Sequence, residues 1–130
     1  MTRYALLCGS APEDYRQKKL CDLYDSLLEK EEWYVTAMPN GVNELMFEYA
    51  MNNIISGNAG DEASGVLLYF CAEKPVSDSE TSLWLGGSEI RKEVIAHYAS
   101  LCKESEIDLQ VIYDSDSELI SEDELGYEKV

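Results

Sequence analysis

Four apolar runs along the chain predict four β-strands. The longest has seven consecutive apolar or aromatic residues, which is typical of a strand covered on both faces in the middle of a parallel sheet. The other three runs are shorter or interrupted by polar residues, and they contain the β-branched and aromatic residues that favour strands. The predicted strands span residues 4–8, 33–37, 66–72 and 107–113.

Apolar residues at helical spacing predict one helix in each interval between these strands. The repeats cover residues 20–28, 42–54 and 90–102, and we expect Ser88 or a neighbouring residue to cap the third helix after the turn at Gly86 and Gly87. Strands that alternate with single helices form a parallel sheet with right-handed crossovers. We therefore predict the α/β class: a three-layer αβα sandwich whose mostly parallel four-stranded sheet has the order 2-1-3-4.

The length of 130 residues fits a single domain spanning 1–130, with an acidic tail at about 117–130. The net charge is −16, which opposes binding to nucleic acid or to an anionic membrane surface. No apolar run approaches the roughly 20 residues that span a bilayer, and the amino terminus resembles no export signal. We therefore expect a cytoplasmic protein that binds neither nucleic acid nor membrane; the charge suits a basic peptide but identifies no partner.

The four cysteines show no paired metal-ligand spacing. Each lies in an apolar segment, so they are predicted to be buried, reduced thiols. They are Cys8, Cys21, Cys71 and Cys102. The single histidine, His97, is predicted at the surface of the third helix.

Three loops are predicted to meet at one rim of the sheet, because the carboxyl ends of parallel strands share an edge. They begin at Gly9, Cys71 and Asp114. The first loop lacks the glycine patterns of nucleotide-binding loops, so we predict no cofactor there.

At the second and third loops the sequence resembles the caspase-like cysteine peptidases, the clan of caspases, metacaspases, legumains and gingipains. In bacterial members the third strand ends in Tyr-Phe-Ser-Gly-His-Gly, with the general base at His, and the fourth is followed by Asp-Ser-Cys, with the nucleophile at Cys. The corresponding stretches here are Tyr69-Phe70-Cys71-Ala72-Glu73-Lys74 and Ile112-Tyr113-Asp114-Ser115-Asp116. The resemblance covers about residues 3–120 and implies a caspase-like fold.

The same resemblance puts Glu73 at the position of the base and Asp116 at that of the nucleophile. Two carboxylates supply neither a thiolate nor an imidazole to activate one, and at close range they repel each other. The resemblance therefore implies the fold without the peptidase activity. It favours a pseudo-peptidase that acts as a binding or regulatory module, through an exposed sheet edge or as a homo-oligomer. The family usually continues with two further strands after the fourth, and the sequence leaves open whether another chain supplies them.

Two alternatives stay open. A cysteine peptidase with its thiol relocated to Cys71 would need His97 to reach that residue. Alternatively, Glu73, Asp114 and Asp116 form an acidic rim of the kind that holds Mg²⁺ or Ca²⁺. Surplus acids in a chain of this charge are more simply solvated, so the preferred interpretation includes no metal.

Overall fold

The computed structural model describes residues 2–9, 14–30, 33–39, 41–57, 63–72, 81–115 and 126–129. For residues 14–19, 114–115 and 126–129 it describes the backbone alone. The strands are β1 (Arg3–Cys8), β2 (Trp33–Met38), β3 (Gly65–Ala72), β4 (Ser82–Leu85), β5 (Ser88–Arg91), β6 (Asp108–Ser115) and β7 (Gly126–Lys129). The helices are α1 (Asp14–Leu28), α2 (Glu44–Ser56) and α3 (Lys92–Glu104).

The predicted strand order is confirmed. The main sheet runs β2-β1-β3-β6-β7, and its first four strands are parallel. Strands β1 and β3 lie in the middle, and all eight residues of β3 are buried. Continuous apolar sequence is the expected signature of such a doubly covered strand.

Helices pack on both faces of the sheet, consistent with the predicted three-layer sandwich. One face carries α2 and α3, whose buried residues join those of β1, β3 and β6 in a single cluster. The other face carries α1, through Leu20 and Leu27. This division follows from the strand order, because the chain reverses direction across the sheet after β2 and right-handed crossovers then place the later helices on the opposite face.

The prediction for the outer edge of the fourth strand was wrong. The antiparallel strand β7 pairs with β6, so the described sheet has five strands and β6 is internal. The sequence Ser121-Glu122-Asp123-Glu124 has the pattern of a capping box and predicts a short helical turn, but it lies outside the described residues. A strand supplied by the tail of this chain thus pairs with the strand that the predicted order 2-1-3-4 places at the edge of the sheet.

The predicted start of the third helix was also wrong. Ser88 belongs to β5, which pairs antiparallel with β4 in a separate two-stranded hairpin. The helix begins at Lys92, and its N-cap residue is Arg91. Because Gly86 and Gly87 have φ angles of 62° and 83°, the tight turn between β4 and β5 suits two glycines.

Three of the four cysteine predictions are confirmed. Cys8, Cys71 and Cys102 are buried free thiols, whereas Cys21 is an exposed free thiol. Cys21 lies on the solvent side of α1, a helix with a single buried stripe. His97 is exposed, as predicted. None of the described helices has the length and apolar character required to cross a membrane.

Candidate functional site

The strands β3 and β6 end side by side at one edge of the sheet. They are parallel, and their last register pairs are Cys71 with Asp114 and Ala72 with Ser115. Neighbouring strands of a sheet lie about 4.8 Å apart. The chain therefore leaves the two strands from adjacent backbone positions.

The two predicted site residues follow directly after these pairs. Glu73 is the next residue after Ala72, and Asp116 is the next after Ser115. Both lie outside the described residues, as does the side chain of Asp114. The structure brings together the strand ends that carry the candidate residues, and the proximity of the three carboxylates stays a prediction.

Cys71 and His97 are not brought together. Cys71 is fully buried in the cluster that packs under α1. His97 lies on α3, which covers the opposite face, and its ring contacts Tyr98 with centroids 5.2 Å apart. The sheet separates the imidazole from the thiol, so this geometry offers no Cys–His pair.

The other buried thiols are poor nucleophiles. Burial raises the pKa of Cys8 well above its ordinary value, and it raises the pKa of Cys102 to about 11. The thiolate is the reactive form of cysteine. Neither residue therefore carries an appreciable thiolate fraction at neutral pH.

The exits of β1 and β2 are closely packed. The backbone N–H of Gly9 donates to the Met38 carbonyl at 2.9 Å. A Cβ atom added at Gly9 would lie 2.5 Å from the Pro39 carbonyl oxygen, a distance that side chains do not tolerate. The backbones approach closely because residue 9 is glycine.

The β4–β5 hairpin covers part of the same face as α2 and α3. Its inward side chains, Leu83, Leu85 and Ile90, are buried in the larger core cluster. Its turn lies against the loop before α2, since a Cβ at Gly41 would be 3.2 Å from the Leu85 carbonyl oxygen. Gly41 has a φ of 110°, which also favours glycine. The hairpin is thus fixed beside the start of α2.

An ion-pair cluster joins the end of the hairpin to α2. The Arg91 Nε lies 2.7 Å from Glu44 Oε1, and its Nη1 lies 2.8 Å from Glu93 Oε1. The backbone N–H of Arg91 also donates to Glu44 Oε1 at 2.9 Å. These hydrogen bonds with Arg91 lower the pKa of Glu44, and the hydrogen bond with Glu44 raises the pKa of Arg91.

Aromatic side chains fill the space between the sheet and the two helices. Phe47 on α2 contacts Phe70 on β3 and Tyr98 on α3, each at a centroid distance of 5.7 Å. Phe70 in turn stacks on Tyr113 of β6 at 5.8 Å. Burial, and after it the charge of Glu48, raises the pKa of Tyr98. Near their carboxyl ends, β3 and β6 therefore contribute to a close-packed aromatic layer.

The metal alternative has no support from the side chains that the structure describes. Among them, no three histidine, cysteine or acidic side chains are grouped as a metal site would require. The predicted ligands Glu73, Asp114 and Asp116 have side chains outside this description. The acidic-rim metal site stays a prediction.

Sequence reasoning missed the hairpin and the ion-pair cluster. Leu83, Leu85 and the Gly86-Gly87 pair belong to a hairpin signal, namely a short apolar run directly before a two-residue glycine turn. The pairing of Glu44 with Arg91 joins residues 47 positions apart. No local pattern could have predicted that contact.

Comparisons with known proteins assign this chain to no family. No protein-family model matches the sequence, and no curated protein gives a significant match. The caspase-like resemblance therefore depends on the two strand-end motifs and the order of the elements around them.

Proposed function

We propose that this chain is a non-catalytic caspase-like domain, a pseudo-peptidase that acts by binding a protein or peptide partner. The partner binds to the domain, and none of its peptide bonds is cleaved. By binding the partner, the protein regulates it or recruits it.

The observation that carries the proposal is the register of β3 and β6. Ala72 pairs with Ser115 at the end of the two strands. Glu73 directly follows Ala72, and Asp116 directly follows Ser115. A peptidase of the caspase-like type needs its base and its nucleophile at these two neighbouring strand ends. The strand order β2-β1-β3-β6 supports the same proposal.

The residue types at these positions oppose peptidase chemistry. A cysteine peptidase requires a thiolate to attack the peptide carbonyl and an imidazole to activate it and then protonate the leaving amine. Carboxylates at both positions form no thioester and hold no imidazolium. Substitution of both groups removes the reaction, because each step depends on one of them.

The buried state of Cys71 also supports a non-catalytic domain. A nucleophilic cysteine is partly exposed and lies in an electropositive environment. Cys71 is fully buried among apolar side chains, on the face of the sheet that does not carry His97. A nucleophilic thiol at Cys71 would need to be accessible to the substrate and to have a base beside it.

The test is a turnover assay with the purified chain. Peptides with Arg, Lys, Asp or Asn before the scissile bond are incubated with wild type and with Asp116→Ala, and products are measured by mass spectrometry. We expect no turnover by either protein. Steady turnover by wild type that is lost on Asp116→Ala would refute the proposal.

A further inference from the structure

The two outer strands of the described sheet differ in how they are protected. β7 has four residues, and two of these, Glu128 and Lys129, are charged. β2 has six residues, Trp-Tyr-Val-Thr-Ala-Met, with neither a charge nor a proline. Short length, charge and proline are the devices by which proteins keep sheet edges from pairing. In the part of the chain that the structure describes, β2 pairs with β1 alone and has none of them.

The backbone of β2 has a defined open side. The Met38 carbonyl accepts the Gly9 N–H, so the polar groups of residue 38 point toward β1. Backbone direction alternates along a strand. The N–H and C=O groups of Val35 and Ala37 therefore point toward the open edge, where an added strand would meet them.

A groove of about 490 Å³ runs beside this edge, between β2 and α2. Tyr34 and Tyr49 stand at its mouth, with 53% and 71% of their surfaces exposed. Leu45 and Met46, one helical turn before Tyr49, are exposed as well. The lining residues are Tyr4, Tyr34, Val35, Thr36, Met38, Tyr49, Ala50, Asn53 and Ile54.

The charge around the groove indicates which kind of segment binds there. The lining contains no charged residue, and the helix that forms one wall carries Glu48 and Glu44 but no Lys or Arg, with Glu44 already paired with Arg91. The whole chain has a net charge of −16, so its field attracts cations and repels a second copy of itself. A cationic segment is therefore favoured over self-association.

We propose that the open edge of β2 binds an extended, Lys- or Arg-containing segment of a partner protein as an added strand. Alternate apolar side chains of the segment enter the groove against Tyr34 and Tyr49, and the basic side chains that alternate with them point to the opposite face of the sheet. Main-chain hydrogen bonds supply affinity in this mode, and the pocket supplies specificity. The inference rests on the proposed function in one respect, that the chain is a peptide-binding module.

The probe is a displayed library of random ten-residue peptides, selected on the whole chain. We expect enrichment of peptides that alternate apolar residues with Lys or Arg. Binding of a selected peptide is then measured by calorimetry for wild type, Ala37→Pro, Thr36→Lys and Thr36→Glu. Circular dichroism and thermal melting establish that each variant is folded.

Ala37→Pro removes an N–H on the open side and leaves the bonds to β1 intact, a position where edge strands accept proline. We expect it to weaken binding at least about tenfold, the order of effect of losing a central hydrogen bond from a buried interface. Thr36 has an exposed side chain at the groove, so its two substitutions place opposite charges at one position beside the added strand. We expect Thr36→Lys to weaken binding and Thr36→Glu to preserve or tighten it.

Three results would overturn the inference: no enrichment of cationic alternating peptides, equal binding by Thr36→Lys and Thr36→Glu, or a wild-type dimer that the Thr36→Lys substitution dissociates. The Thr36 pair decides the question if Ala37→Pro fails to fold. Failure of the proposed function has a different signature. Cleavage of the selected peptide that is lost on Asp116→Ala would refute the non-catalytic claim, and binding at β2 would still be judged by the Thr36 variants.

Discussion

Arg91 contacts Glu44 through two side-chain hydrogen bonds, with Nε 2.7 Å from Oε1 and Nη2 3.2 Å from Oε2. The contact joins the residue that precedes α3 to the first residue of α2. A two-point guanidinium–carboxylate contact fixes direction as well as distance. It orients the β4–β5 hairpin relative to α2, on the face of the sheet that also carries the groove.

The first prediction concerns the pH dependence of this contact. The pKa of Glu44 is lowered from its ordinary value of 4.5 by its hydrogen bonds with Arg91. The stabilisation is therefore present above pH 4.5 and is lost as the pH falls through the lower pKa of the folded state. Glu44→Gln should melt below wild type at pH 7, and the difference should shrink on acidification and in 1 M salt. Glu104→Gln, an exposed acid on α3, is the control; an equal change in both variants would contradict a role specific to Glu44.

The second prediction concerns the aromatic layer. Phe47 is fully buried between Phe70 and Tyr98, so Phe47→Ala leaves a cavity at the centre of the core. We expect the free energy of unfolding in urea to fall by about 3–5 kcal/mol. Leu45→Ala, two residues earlier and 75% exposed, should change it by less than about 0.5 kcal/mol. Comparable losses in the two variants would contradict the described packing.

The third prediction concerns thiol reactivity. Native protein treated with iodoacetamide at pH 7 should be alkylated at Cys21 and protected at Cys8, Cys71 and Cys102, because the first is exposed and the others are buried. Mass spectrometry of proteolytic fragments measures each site, and protein unfolded in urea, where all four should react, is the control. Alkylation of Cys71 as fast as Cys21 would instead support the relocated-thiol enzyme.

The fourth prediction concerns divalent cations. If the acids of this chain are individually solvated, calorimetric titration with Mg²⁺ or Ca²⁺ should give no saturable heat up to about 1 mM, the weak end of protein calcium sites. Titration with NaCl at matched ionic strength controls for general screening. A saturable heat that disappears in Asp116→Asn would establish the acidic-rim site and remove the preference for solvated acids.

The central sheet could be predicted because burial on both faces leaves a strong trace in the sequence. Residues 66–72 are all apolar or aromatic, and β3 is buried throughout its length. The single helices between strands predicted parallel crossovers, and the continuous apolar runs of the first and third strands favoured their place in the middle of the sheet. The position of β2 at the edge of the sheet also agrees with its sequence, which is shorter and less apolar than that of β3.

The hairpin was missed because Ile90 fits two periodicities. It lies four residues before Val94, which suits a helix, and it pairs with Leu83, as a strand residue does. The tail strand was missed for a different reason. Gly126–Lys129 has a composition without strand preference, and its pairing with β6 is a tertiary contact. For the candidate site, the motifs predicted the two strand ends, and the register of β3 and β6 agrees with their adjacency.

The alkylation rate of a thiol introduced at position 116, with and without an imidazole at position 73, tests whether the two positions have the caspase-like arrangement. Asp116→Cys is compared with Glu73→His/Asp116→Cys, both in a Cys21→Ser background, using iodoacetamide at pH 6. If the two positions face each other as a caspase-like base and nucleophile do, the imidazolium lowers the thiol pKa, and the double variant should react about tenfold faster. Equal rates in the two variants would contradict the caspase-like arrangement.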